Sequence, residues 1–272
     1  MTATCAILSK QAITFSCDSF ITSLNSNGDL IIEEAQQSKI LKLERLHAVI
    51  GYWGLARYGT WKTRDWLNEQ VRDLTMPNTL ELWSKELSVR LDQKLRSLSN
   101  QAWSYGIGIH VAGYESFEGE LLPEMYLVTN YSGISETGGY SVGNEMSATR
   151  RTYFDSTGGQ HPNVYEHGNP QYRNAMKTFF SERRWMLFNN GDTPLFGTIA
   201  NGIGRAVNLA LSRGNLDRSS PMETQRNYAF MVIRTVSEFE RLFFREDSRV
   251  VGGRPHDITV LPDRTYFSSS GD

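Results

Sequence analysis

The amino-acid sequence predicts an α+β protein: a four-layer αββα sandwich in which two antiparallel sheets lie between two pairs of helices. Three observations lead there. Segments with strand character and segments with helical periodicity follow one another as strands, two helices, strands, two helices, strands. The helices each carry an apolar face that a sheet must cover. No internal repeat, low-complexity tract or linker divides the 272 residues, so residues 1–272 are read as a single domain.

The N-terminus reads as a β-hairpin. Residues 2–8 (TATCAIL) and 12–18 (AITFSCD) are short runs rich in Thr, Ile and Phe, separated by Ser9, Lys10 and Gln11. A turn centred on Lys10 sets Thr2 opposite Asp18 and Thr4 opposite Ser16. Ala3, Cys5, Ile7, Ile13, Phe15 and Cys17 then share an apolar face, while Thr2, Thr4, Ser16 and Asp18 share the other. A polar cluster thereby gathers at the open end of the hairpin. Residues 20–37, with the turn Asn27-Gly28-Asp29, form an excursion, and strands follow at 38–43 (SKILKL) and 46–52 (LHAVIGY). Gly51-Tyr52-Trp53-Gly54 ends the second of these, and a helix is expected at once, with Leu55, Tyr58, Leu67, Val71 and Leu74 at helical spacing.

A second helix runs from Thr79 towards Asn100, with Leu80, Trp83, Leu87, Leu91 and Leu98 on one face. Strand-like segments return at 104–114, 122–131 and 134–143. Of the two late helices, one starts at Thr193-Pro194 and carries Leu195, Ile199, Ile203, Val207 and Leu211. The other opens with the capping box Ser220-Pro221-Met222-Glu223 and is expected to bury Ala229, Val232, Val236, Phe239 and Phe243. Strands at 257–261 and 264–268 close the chain.

Composition excludes several classes. A formal net charge of −2, from 28 basic and 30 acidic residues, gives no reason to invoke nucleic acid or an anionic membrane. Nothing approaches the ~18 apolar residues of a membrane span. The first 20 residues carry one Lys and no long apolar run, so no signal peptide is expected and the location is read as cytoplasmic. Two cysteines, Cys5 and Cys17, are too few for a disulfide scaffold and are read as core thiols. His161 and His167 lack zinc-ligand spacing, and His47, His110 and His256 have no Ser or Cys signature nearby, so no metal and no cofactor are expected.

The chemistry is carried by a constellation: Thr2, Asp18 sixteen residues later, Lys39 after the excursion, and Gly54 at a strand-to-helix turn. Lys39 shares parity with Leu41 and Leu43, which points it inward, and an inward lysine needs an anion, for which Asp18 is the candidate. The segment TATCAILSKQAITFSCDS, then SKILKL, AVIGYWGLA and YSVGNE (Tyr140 to Glu145), resembles the proteasome β-subunit pattern of the N-terminal-nucleophile (Ntn) hydrolases, as in bacterial proteasome-related peptidases. The resemblance spans residues 2–150, weakens through the middle, and returns for the last helices and strands.

That resemblance implies the Ntn-hydrolase fold and a threonine peptidase or amidohydrolase. Thr2, freed by removal of Met1, would be the nucleophile, with Asp18 and Lys39 as its catalytic partners. The Thr2 α-amine, with a reference pKa of about 7.7–8.0, would be the base, and Lys39 beside it would favour the neutral amine. The Gly54 N–H would receive the oxyanion, a donor worth ~3–4 kcal/mol in comparable sites. Asn144, standing where the family has Ser, and Asp247, before Gly252-Gly253, would support the site. The substrate would be a peptide or another amide, and the protein a homo-oligomer, in a ring or a related assembly. Two alternatives stay open: a non-catalytic proteasome-like ring or scaffold subunit, and an amidohydrolase of a small amide.

Family members pass directly from the "SVG" turn to the late helices, whereas here residues 151–191 intervene as an expected insertion. Its aromatic residues, among them Tyr153, Phe179, Trp185 and Phe188, are too many for a solvated loop. A helix capped at Asn169-Pro170 would bury Tyr172, Met176 and Phe179 on its own subunit or on a neighbour.

Overall fold

The computed structural model describes residues 3–24, 30–34, 37–134, 140–151, 185–191, 221–244 and 251–268, with single helical positions between 174 and 209. In chain order the strands are β1 (Ala3–Leu8), β2 (Ile13–Cys17), β3 (Ile21–Leu24), β4 (Leu30–Glu34), β5 (Ile40–Leu43), β6 (Ala48–Gly54), β7 (Arg57–Tyr58) and β8 (Trp61–Lys62). Helices α1 (Thr63–Arg72), α2 (Leu80–Leu98) and α3 (Asn100–Ser104) follow. Then come β9 (Ile107–Phe117), β10 (Glu120–Ile134), β11 (Tyr140–Arg151), β12 (Met186–Gly191), helix α4 (Pro221–Phe243), β13 (His256–Val260) and β14 (Tyr266–Ser268).

The protein is α+β, with two five-stranded antiparallel sheets. The first has the order β12-β1-β2-β13-β14 and the second β11-β10-β9-β6-β5. Phe15, Cys17, Ile40, Val49, Ala112 and Phe188 meet in an apolar layer between them. On its other face the second sheet is covered by Trp66, Leu67, Trp83, Leu87, Leu91 and Leu95 of α1 and α2. The first sheet turns Ala3, Cys5 and Ile7 towards Tyr228, Ala229, Val232, Ile233 and Val236 of α4. Helical positions Ile199 and Ile203 pack against that same cluster. Among the described residues no helix is long and apolar enough to cross a membrane.

The hairpin register differs by one residue from the expected one. Thr4 faces Cys17 and Cys5 faces Ser16, because Ser9 and Ala12 close a two-residue turn of Lys10 and Gln11. Cys5 and Cys17 therefore lie on opposite faces, and Cys17, Phe15 and Ile13 belong to the layer between the sheets. Every residue of both strands is buried, so alternation carries no information about which face is inside. Turn length alone sets the register.

Gln225 locks this turn to α4. Its Nε2 donates to the carbonyls of Ile7 (2.8 Å) and Ala12 (3.0 Å), and its Oε1 accepts from Ser9 Oγ (3.0 Å). Gln225→Leu removes the bonds of a fully buried side chain to the base of this turn and is expected to destabilise by ~2–3 kcal/mol, read by urea unfolding.

Two further expectations are corrected. The helix after Gly54 starts eight residues later than its spacing implied, since a short β7–β8 ribbon turning at Gly59 (φ 57°) comes first, and Leu74 is exposed. On α4 the buried stripe runs through Ala229, Val232, Val236 and Glu240, leaving Phe243 70% exposed. Within the segment expected as an insertion, residues 186–191 form β12, paired along all of β1, and Met176, Phe180, Met186 and Phe188 join the layer between the sheets. Residues 152–173 lie outside the described residues.

Candidate active site

The open end of the β1–β2 hairpin holds the Asp18–Lys39 pair, while the shifted register sends Thr4 and Ser16 to opposite faces, so the polar cluster expected on one face is corrected. Asp18 follows β2 and is fully buried. Its N–H donates to the Ala3 carbonyl (3.1 Å) and its Oδ1 accepts the Ala3 N–H (2.8 Å). The same Oδ1 accepts from Lys39 Nζ at 2.9 Å, and Oδ2 accepts the Phe20 N–H at 3.2 Å. Both side chains of the ion pair are 0% exposed. The carboxylate is thus met by one ammonium and two backbone donors, which offsets much of its desolvation.

Lys39 precedes β5. Leu41 and Leu43 face the helices while Ile40 faces the layer between the sheets, so parity with the leucines did not locate the lysine. It reaches Asp18 because the second sheet lays β5 against β13 and β2. The backbone at this point is fixed from two sides: the Tyr52 N–H donates to the Lys39 carbonyl (3.1 Å), and Arg64 of α1 donates to the Ser38 carbonyl.

Gly54 ends β6 with φ 82°. The Leu55 N–H donates to the Gly106 carbonyl on the β9 side (2.8 Å), whereas the Tyr52 N–H points to β5. Strand N–H groups alternate sides, so that of Gly54 points the same way as that of Tyr52. On that side the chain has already turned off, with the Gln37 N–H bonded to the Ser19 carbonyl (3.3 Å). The Gly54 N–H therefore faces the end of the sheet beyond Lys39, two residues past its ladder partner Tyr52.

The other expected residues are placed as follows. Thr2 and Asp247 lie outside the described residues. Asn144 is exposed in β11, its carbonyl accepting from Arg96 of α2 (2.7 Å), and none of its described hydrogen bonds reaches Asp18 or Lys39. Gly252 stands at the site: its carbonyl accepts the Ser19 N–H (3.1 Å), and the ring of Phe20 lies where a Cβ would project. Burial pushes the Cys5 and Cys17 thiols up to about 12, so neither offers a thiolate nucleophile near neutral pH.

Sequence reasoning did not bring Arg64, Arg254 or His256 to this corner. His256 lies opposite Cys17 across β13 and β2, on the face of Ile258 and Val260. Burial first, then the charges of Arg254 and Arg64, hold its pKa below the usual value, while Asp257 and Asp18 pull it up. Its only sequence signal was a position just after Gly252-Gly253.

No family model matches the chain, and no curated protein matches it. Among solved structures it is similar to Anbu, an ancestral β-subunit, from Yersinia bercovieri, at 12% identity and a TM-score of 0.49, covering 100% of this chain and 88% of that one. The family assignment drawn from the sequence is therefore corrected. Agreement at that level, with no matching family model, does not place the chain among proteasome β-subunit-like hydrolases. The TATCAIL and SKILKL segments resemble that pattern without establishing membership.

Proposed function

We propose that the chain is a hydrolase whose nucleophile is Thr2, freed by removal of Met1, acting on a peptide or other amide bond. The supporting observation is the buried Asp18–Lys39 pair, whose carboxylate also holds the Ala3 N–H, one peptide bond after Thr2. A fully buried ion pair is poor value as a stabiliser, so its place beside the first residues asks for a chemical reason.

In this reading the Thr2 α-amine takes the hydroxyl proton as Oγ1 attacks the carbonyl carbon. The Lys39 ammonium stabilises the developing negative charge on Oγ1, and Asp18 orients Lys39 and the Ala3 amide together. The carbonyl oxygen gathers charge at the Gly54 N–H. The C–N bond breaks, the leaving amine takes the proton from the α-ammonium, and an acyl ester remains. Water, deprotonated by the same amine, then releases the acid and restores the hydroxyl. Asn144 and Asp247 are assigned supporting positions. The chain is read as one domain with the four-layer αββα order, and as an assembly of like chains, for which the exposed Met231, Leu242 and Phe243 on α4 speak.

The test joins intact mass to activity. Chains shown to begin at Thr2 are expected to hydrolyse fluorogenic peptide amides and to react with a β-lactone at Thr2. Thr2→Ala is expected to lose at least ~10³-fold in rate and all labelling, with Thr2→Ser retaining a part. Undiminished turnover by Thr2→Ala, or by chains that keep Met1, rejects the mechanism.

A further inference from the structure

Glu240 is a carboxylate in surroundings that disfavour one. It lies in the last turn of α4, where the negative end of the helix dipole opposes an acidic side chain, and it is 0% exposed. Its Oε2 accepts the Val251 N–H at 2.7 Å, a short charge-assisted bond. Its own carbonyl accepts the Phe244 N–H at 2.9 Å. One residue therefore closes the helix and fastens the chain that returns from it to the sheet.

From Val251 the hydrogen bonds lead to the Asp18–Lys39 pair. The Gly252 carbonyl accepts the Ser19 N–H (3.1 Å), and the Ser19 carbonyl accepts the Gln37 N–H (3.3 Å). Ser19, itself 0% exposed, directly follows Asp18, and Gln37 stands two residues before Lys39. Ser19 thus ties together the two segments that carry the ion pair, and ties both to Gly252. The approach is close, since a Cβ on Gly252 would stand 2.2 Å from the Phe20 ring. Val251 is buried in the same apolar cluster as Val232 and Val236 of α4, so packing already holds this segment against the helix. Packing has no direction, and the bond to Glu240 supplies one.

We propose that Glu240 is a positioning residue of this site: by holding Val251 it places Gly252, and through Ser19 it sets Asp18 against Lys39. Its effect on turnover rests on the hydrolase reading, while its hold on the ion pair stands on the hydrogen bonds alone. A displacement of about 1 Å, caused far from the chemistry, costs about 100-fold in rate where reacting groups must be aligned.

Amide hydrogen exchange on the full chain tests that hold without a substrate. Glu240→Ala is expected to speed exchange at Val251, Ser19 and Gln37 at least ~10-fold more than at Ser9, whose N–H bonds Ala12 at the far end of the β1–β2 hairpin. Glu240→Gln keeps an acceptor without the charge, so the same amides are expected to quicken ~3-fold relative to Ser9. This variant carries the test if Glu240→Ala does not fold. The Asp18–Lys39 coupling, from a double-variant cycle in the Glu240→Gln chain, is expected to shrink. With a fluorogenic peptide amide, kcat is expected to fall ~3-fold in Glu240→Gln and ~30-fold in Glu240→Ala, with KM unchanged. Glu238→Ala, which removes a surface pair with Arg241 on the same helix, is expected to match wild type. Exchange that rises at Ser9 as much as at Ser19 overturns the positioning role and leaves Glu240 a stabiliser of the fold. A local rise at Ser19 with unchanged coupling and unchanged kcat overturns it too. A local rise with weakened coupling, in a chain that hydrolyses no amide, upholds the hold on the ion pair and counts against the hydrolase.

Discussion

Asp18→Asn is expected to lower the unfolding free energy by ~3–5 kcal/mol, more than Lys39→Met does, and to abolish turnover. The asymmetry follows from what each substitution leaves behind. Asparagine still accepts one hydrogen bond, but it no longer offers the carboxylate charge that stood 2.9 Å from the 0% exposed Lys39 ammonium. Lys39→Met leaves a carboxylate that retains the Ala3 and Phe20 N–H groups. The double variant removes both charges, and its loss is expected to fall well short of the sum of the two. Urea unfolding of the three variants gives the coupling directly, and amide hydrolysis of each gives the chemistry. Equal melting of Asp18→Asn and wild type would show that the pair is not buried as described. Normal stability in the double variant with lost turnover is the pattern expected of residues kept for catalysis.

How much of this was legible in the sequence differs from element to element. The hairpin, α2 with its Thr79 cap and the order of strands and helices were legible, because each rests on local turn or cap chemistry and on periodicity. The register of β1 with β2 was not, since a strand buried on both faces has no polar side to read. The same ambiguity affected Lys39, whose parity with Leu41 and Leu43 described the helix-facing core, whereas its ammonium bonds Asp18 just past β2. The Asp18–Lys39 contact itself was foreseen from the need of an inward lysine for an anion. The places of His256 opposite Cys17 and of Arg64 on the Ser38 carbonyl were not foreseen, because each rests on a contact between segments far apart in the chain. The ribbon between Gly54 and α1 escaped notice because Leu55 and Tyr58 fall by chance on the helical spacing that Leu67 and Val71 obey.

Gly54→Ala is expected to cut turnover by ~10²–10³-fold, beyond what its stability loss explains. Two effects act at this residue. Its φ of 82° belongs to the left-handed region, which costs an alanine about 1–2 kcal/mol. A Cβ there would also stand 2.6 Å from the Gly106 carbonyl oxygen and 2.6 Å from Tyr131 Oη. The tyrosine hydroxyl is the end of a side chain and can give way. The Gly106 carbonyl cannot, because it accepts the Leu55 N–H at 2.8 Å, and Gly106 is itself wedged against the Tyr131 ring at φ 70°. Relief must come from the backbone of residue 54, which tilts the N–H assigned to the oxyanion. Gly59→Ala is the control. Its φ of 57° imposes comparable strain on the neighbouring ribbon, with no atom within 4 Å of the added methyl group. It is expected to lose about 1 kcal/mol of stability and no activity. Wild-type kcat in Gly54→Ala, alongside a clear loss of stability, would remove Gly54 from the oxyanion role and leave it as a turn glycine.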